Sequence, residues 1–133
     1  GLSRLTGGLR FRTARQARGG LSPRMRGAFD PRRSPAGPGP VLIMGADIPD
    51  ADLAAVRAAA AALARAAIVF GPAPDGGFWL AGATARARGR FAFLRSGRWS
   101  TPHALEDAVA SVDRRDTLAF TVTLADVDER PPA

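Results

Sequence analysis

The sequence contains no cysteine, no lysine and no tyrosine, and it has a single histidine. The lack of cysteine excludes a disulfide framework, a thiol nucleophile and a cysteine-ligated zinc site. One histidine is too few for a histidine-cluster metal site. No run of 18 apolar residues is present, so we expect no membrane span. The segment Gly1 to Arg12 lacks the apolar core of a signal peptide, and we therefore expect a cytoplasmic protein.

All 19 basic residues are arginine, and the net charge is +7. The excess lies in residues 1–40, which hold nine arginines and one acid, whereas residues 41–133 hold ten arginines and eleven acids. The first segment is rich in Gly and Pro and has no recognised nucleic-acid motif, so we expect no nucleic-acid partner. A chain of 133 residues is long enough for one α/β domain with a buried core. Residues 1–40 would be its basic, divergent segment and residues 41–128 its motif-bearing core.

Apolar runs and helical patterns alternate after residue 40. Continuous apolar runs predict buried strands at 41–44 and 67–70, and two further strands are predicted at 78–82 and 117–124. One helix is predicted at about 50–66 with Asp50 as its N-cap. A second is predicted from Ser100 or Thr101, with Pro102 near its start, to about residue 112. This alternation indicates an α/β sheet covered by helices.

Acidic residues follow three of these predicted strands. Asp47 follows the first strand, Asp75 follows the second, and Asp126 and Asp128 follow the last. In open α/β sheets, ligands bind beyond the carboxyl ends of the strands. Clustered carboxylates suit a hard cation such as Mg²⁺, which also binds substrate phosphates. If the strands run parallel, the sequence therefore predicts a metal–nucleotide site at this edge.

Each of these features also has a structural interpretation. Asp47, before a proline, is placed to cap the next helix, and Asp75-Gly76 is typical of a hairpin turn. The last acids would then be a solvated chain end. His103 is predicted to be a surface residue of a first helical turn rather than a catalytic base. Five arginines are predicted to form a solvated loop, with phosphate binding as the alternative: Arg86, Arg88, Arg90, Arg95 and Arg98.

Four motifs occur in a fixed order along the chain. They are Gly45-Ala46-Asp47-Ile48-Pro49, the run F-G-P-A-P-D-G-G-F-W-L at 70–80, Trp99-Ser100-Thr101-Pro102, and Asp126-Val127-Asp128. The ordered set resembles a family of bacterial glycosyltransferase-A-like proteins that carry G-[TA]-D-x-P, G-P-A-x-D-G-G-[YF]-[YW]-L, W-S-T and D-[IV]-D. The resemblance covers about residues 15–128. It implies a Rossmann-like α/β/α sandwich of the nucleotide-diphospho-sugar transferase type, related to the molybdopterin and phospholactate guanylyltransferases.

The resemblance also implies site residues and a cofactor. It implies a glycosyltransferase acting on a nucleotide-sugar donor with Mg²⁺ or Mn²⁺, in which Asp47 and Asp128 contact the metal. Asp75 would be the catalytic residue, orienting a sugar hydroxyl or acting as a base on an acceptor hydroxyl. The substrate-binding residues implied are Gly76, Gly77, Trp99, Ser100 and Thr101.

Two departures from the family pattern lie in the first third of the chain. The basic, glycine-containing N-terminal loop of the family, with its lysine, has no counterpart here, and Gly20 and Ser22 replace an acid and a glycine. The resemblance therefore implies a chain without the first strand or strands, with weak or no nucleotide binding and an exposed sheet edge that a homodimer would cover. Two further functions stay open: nucleotidyl transfer from a nucleoside triphosphate, and a catalytically dead binding domain.

Overall fold

The computed structural model describes residues 29–30, 39–45, 48–90 and 102–125. Within these residues the strands are β1 (Val41–Met44), β2 (Ile68–Pro72), β3 (Phe78–Ala83) and β4 (Leu118–Phe120). The helices are α1 (Leu53–Ala62) and α2 (Ala104–Ala110), with a short 3₁₀ helix at Arg88–Arg90. No helix in the described part of the chain is long and apolar enough to cross a membrane.

The strands form one mixed sheet in the order β1-β3-β2-β4. Strand β3 pairs antiparallel with both β1 and β2, whereas β2 and β4 are parallel. Strands β1, β2 and β4 therefore run in one direction and end at the same edge, although the antiparallel β3 lies between two of them. The site predicted from the sequence requires this common direction, because only then do the loops after these three strands lie at one edge. We call this edge the site edge.

Each face of the sheet buries its own apolar cluster beneath a helix. On one face, Ile68 and Phe70 pack with Phe29 and with Ala108 of α2. On the other face, Val69 packs with Ala59 and Ala62 of α1. Because side chains alternate along a strand, β2 supplies both clusters, and it is buried from Ile68 to Gly71. The sheet with helices on both faces confirms the predicted α/β class.

The helix boundaries differ from the predicted ones. Helix α1 begins after Asp52, whose Oδ1 accepts a hydrogen bond from the Ala55 N–H at 2.9 Å. The prediction of Asp50 as N-cap is wrong because residues 48–52 form a turn, in which the Ala51 N–H donates to the Ile48 carbonyl at 3.2 Å. The helix also ends at Ala62, earlier than the predicted residue 66.

The second helix and the last strand are shorter than the sequence predicts. Helix α2 has His103 at its N-cap position, without a side-chain capping bond, so the prediction of a Ser100 or Thr101 cap is wrong. Strand β4 covers three residues. Beyond it the chain still follows β2, since Thr121 donates to the Phe70 carbonyl at 2.9 Å and Leu124 donates to the Pro72 carbonyl at 3.1 Å.

Candidate functional site

Three of the predicted site residues fall within the described part of the chain: Asp75, Gly76 and Gly77. The remaining predictions lie outside the described residues: Asp47, Trp99, Ser100, Thr101, Asp126 and Asp128. The segments that precede Asp47 and Asp126 are described: β1 and residues 121–125 both run towards the site edge. The site is therefore described from these three residues outwards. We call the turn formed by Asp75, Gly76 and Gly77 the D-G-G turn.

The D-G-G turn closes the hairpin between β2 and β3. The Ala73 N–H donates to the Gly77 carbonyl at 2.9 Å, and the Gly76 N–H donates to the Ala73 carbonyl at 3.1 Å. Gly76 has φ +89°, a left-handed conformation that glycine adopts without steric cost. The exposed Asp75 carboxylate accepts the Gly77 N–H through Oδ1 at 2.8 Å. The hairpin interpretation is thus confirmed, and one carboxylate oxygen is fixed by the turn.

The turn contacts the start of α2 through its backbone. The Leu105 N–H donates to the Gly76 carbonyl at 2.9 Å. The two segments are so close that a Cβ on Gly76 would overlap the Pro102 carbonyl. Pro102 is the last residue of the W-S-T-P motif, so the structure brings the D-G-G turn and the end of that motif into contact.

A β-bulge sets the direction of Trp79. In the pairing of β2 with β3, Gly71 lies opposite Leu80 and Pro72 lies opposite Phe78, so Trp79 is the extra residue. This insertion puts Trp79 and Leu80 in the same apolar cluster, although they are adjacent in sequence. Bulges of this kind re-aim a side chain next to a binding site.

The indole of Trp79 crosses β2 over Gly71. Its Nε1–H donates to the Val122 carbonyl at 2.8 Å, in the segment that follows β4. A Cβ on Gly71 would lie 2.6 Å from the indole Cε2, so only glycine leaves room for this crossing. Neither residue is predicted as a site residue from the sequence, because nothing in a run of apolar residues shows which strand a side chain crosses.

A shallow open groove of about 400 Å³ lies beside the turn. Its lining residues are Gly76, Pro102, Leu105, Glu106, Val109, Ala110 and Phe120. Its wall is apolar apart from Glu106, and the Phe120 side chain at the end of β4 is 52% exposed. The groove therefore opens next to the D-G-G turn.

His103 lies on the rim of this region. Its side chain is 51% exposed, and its Nδ1 lies 3.4 Å from Oε2 of Glu106, which is more exposed still. The prediction of a surface residue at the first turn of a helix is confirmed.

The arginines after β3 do not form a uniformly solvated loop. Arg88 is 2% exposed, and it donates from Nε to the Phe29 carbonyl at 2.9 Å and from Nη1 to the Gly39 carbonyl at 2.6 Å. Burial lowers its pKa, and the charge of Asp30 opposes that shift. The solvated interpretation is wrong for Arg88 because backbone carbonyls replace water around its guanidinium.

The other arginines of this group have different surroundings. Arg86 is exposed, as predicted, and Arg95 and Arg98 lie outside the described residues. Arg90 pairs with the buried Asp116 carboxylate, with its Nε 3.2 Å from Oδ2. That hydrogen bond to Asp116 is the main reason that the pKa of Arg90 is raised. None of these described arginines is placed at the site edge, because β3 ends at the opposite edge.

The described residues alone do not fit a metal ion. Within residues 29–30, 39–45, 48–90 and 102–125, no group of three or more histidine, aspartate or glutamate side chains is close enough to hold one.

Comparison with known proteins identifies the family. Residues 3–101 match the family described as uncharacterized protein conserved in bacteria (DUF2064). The chain belongs to this family. The matched range includes the first two motifs and Trp99-Ser100-Thr101, which carried the resemblance in the sequence analysis.

A solved structure supports the fold of this DUF2064 chain. The crystal structure of a protein from Desulfovibrio desulfuricans G20, described as a "putative nucleotide-diphospho-sugar transferase", is 27% identical and gives a TM-score of 0.72. The match covers 85% of this chain and 48% of that one, so this chain spans about half the length of the structure that it matches. The sheet therefore corresponds to part of a nucleotide-diphospho-sugar transferase fold. No curated protein matches the chain.

Proposed function

We propose that this DUF2064 chain takes part in sugar transfer from a nucleotide-sugar donor, with the acceptor or donor sugar bound at the D-G-G turn. The observation that carries the proposal is the contact between that turn and the start of α2 at the site edge. Three strands end at this edge, which is where open α/β sheets bind ligands. Similarity to about half of a structure described as a "putative nucleotide-diphospho-sugar transferase" supports the reaction class.

Asp75 is the residue that we assign to the reacting sugar hydroxyl. The Gly77 N–H holds Oδ1 in place, so the carboxylate has a fixed orientation although it is exposed. Oδ2 is the oxygen that would accept a hydrogen bond from a sugar hydroxyl or take the proton of an acceptor hydroxyl. A positioned carboxylate of this kind contributes about 10²- to 10⁴-fold to a proton-transfer step.

We also propose Asp47 and Asp128 as the ligands of Mg²⁺ or Mn²⁺, and Gly76, Gly77 and residues 99–101 as substrate contacts. A divalent metal would supply positive charge that stabilises a diphosphate leaving group. Asp47 follows Gly45, whose N–H donates to the Trp79 carbonyl at 2.9 Å at the site edge. Support for Asp128 is the path of residues 121–125 along β2 towards the same edge.

Replacing Asp75 tests this assignment with little disturbance of the turn. Asp75→Asn retains an Oδ1 acceptor for the Gly77 N–H, so we expect the unfolding free energy to change by less than about 0.5 kcal/mol. We expect the transfer rate, measured as nucleoside diphosphate released from a panel of nucleotide sugars with Mn²⁺, to fall about 100-fold. The assay includes the longer Desulfovibrio protein as a reference, because this chain covers about half of it.

A matched control and the identity of the product complete the test. Asp113→Asn changes the same side chain at the opposite edge, before β4, and we expect unchanged transfer. Pyrophosphate released from nucleoside triphosphates would instead indicate nucleotidyl transfer. If calorimetry finds no nucleotide sugar bound by either protein, or Asp75→Asn transfers at the wild-type rate, the proposal is wrong.

A further inference from the structure

Trp79 contacts the chain at the ends of all three parallel strands. Its carbonyl accepts the N–H of Gly45, directly after β1, at 2.9 Å. Its indole N–H donates to the carbonyl of Val122, after β4, at 2.8 Å. As the extra residue of the bulge, it lies opposite the step from Gly71 to Pro72, where β2 ends and the loop that carries Asp75 begins. One residue therefore joins three segments that are far apart in sequence.

The surroundings of Trp79 make this link rigid. The side chain is 2% exposed and packs in the cluster beneath α1. Gly71 lets the indole pass over β2, and the bulge turns it towards that face. A buried tryptophan normally bonds its N–H, and here the acceptor is an irregular segment rather than a neighbouring strand. The arrangement thus holds residues 121–125 as well as filling the core.

We propose that Trp79 is the positioning residue of the site edge, setting the spacing of the segments that directly follow β1, β2 and β4: Gly45, the D-G-G turn and residues 121–125. The inference rests on the proposed function, since that function requires the loops to act together. Catalytic and binding groups need placement within about 0.5 Å, which loops achieve only when packing and hydrogen bonds fix them. Trp79 reaches no substrate in this proposal and acts through the chain segments that it holds.

Trp79→Phe removes the N–H donor and keeps the carbonyl and an aromatic ring. By hydrogen exchange, we expect the amides of Thr121 and Leu124 to exchange at least tenfold faster than in the wild type. The amides of Val69 and Ala81, at the centre of the sheet, should change much less. We also expect the affinity for the best nucleotide sugar with Mn²⁺, measured by calorimetry, to fall about tenfold.

Gly71→Ala disrupts the same hydrogen bond between the Trp79 indole and the Val122 carbonyl. The added Cβ displaces the indole, although Trp79 itself is unchanged. We expect it to speed exchange at Thr121 and Leu124 as Trp79→Phe does. In the double variant the smaller ring leaves room for the Cβ, so exchange at these amides should be no faster than in Trp79→Phe alone. Phe70→Leu, on the opposite face of the sheet, is the control; it lowers the Tm and should speed exchange at all four amides alike.

The outcomes separate this inference from the proposed function. If neither protein binds a nucleotide sugar, the proposed function is wrong. The role inferred for Trp79 at this site is then wrong as well, even if Trp79→Phe speeds exchange at Thr121 and Leu124 alone. If binding is observed, but Trp79→Phe speeds exchange at all four amides equally, the positioning role is overturned alone. It is also overturned if exchange rises at Thr121 and Leu124 while the affinity stays unchanged, since Trp79 would then be a packing residue only.

Discussion

At the scale of the residue, Gly76 is the position where the D-G-G turn tolerates least change. Its φ of +89° disfavours any side chain, and a Cβ would overlap the Pro102 carbonyl. We expect Gly76→Ala to lower the free energy of unfolding by about 1–3 kcal/mol, measured by urea denaturation. Gly39→Ala is the control, since nothing lies within 4 Å of its Cβ, and we expect a change below about 0.5 kcal/mol. Equal losses in the two variants would contradict this account.

Single residues also show what the sequence could not reveal. The sequence predicted the turn at Asp75-Gly76 because aspartate and glycine tolerate turn geometry regardless of their distant surroundings. It did not predict that Arg88 is buried or that the Trp79 indole crosses Gly71. Both depend on carbonyls from segments far away in the chain, at Phe29, Gly39 and Val122. Local pattern carries no information about such contacts.

At the scale of the element, the cap of α1 gives a direct test of the corrected boundary. Asp52 accepts the Ala55 N–H at 2.9 Å, which satisfies one of the donors left over at a helix start. We expect Asp52→Ala to lower the free energy of unfolding by about 1 kcal/mol, measured by thermal and urea denaturation. Asp50→Ala, at the position predicted from the sequence, should cost less than half as much. A larger loss for Asp50→Ala would restore Asp50 as the cap.

Elements were predicted better than their ends. The apolar runs that predicted β1, β2 and β3 are long enough to require burial on both faces of a sheet, and the structure contains all three strands. Helix ends depend on which of several suitable residues the preceding turn selects, and both Asp50 and Asp52 suit an N-cap. The antiparallel direction of β3 is set by the five-residue turn after β2, whereas the motif alone predicts only a strand.

At the scale of the whole molecule, the two edges of the sheet differ in chemistry. The site edge carries the D-G-G turn and the ends of β1, β2 and β4. The opposite edge, where β3 ends and β4 begins, carries two Arg–Asp ion pairs, Arg90–Asp116 and Arg115–Asp113. Both pairs lie near the start of β4, at the opposite edge of the sheet from the D-G-G turn. They are therefore expected to affect stability and its pH dependence without changing ligand binding.

The Asp113–Arg115 pair makes the stability of the fold depend on acidity. The Arg115 side chain, and then its backbone N–H, hold the pKa of Asp113 well below its ordinary value. A lowered folded pKa means that the pair stabilises the fold above the unfolded pKa of about 4, and that this contribution is lost as the pH falls below it. We expect the Tm difference between wild type and Asp113→Asn to be largest near pH 7 and to shrink steadily from about pH 4 to pH 2. Because Arg115 is exposed and Asp113 is half-buried, water and salt reach the pair, and 0.5 M NaCl should reduce the difference at pH 7. A difference that is constant between pH 7 and pH 2 would show that the substitution acts by packing and not by the charge of Asp113.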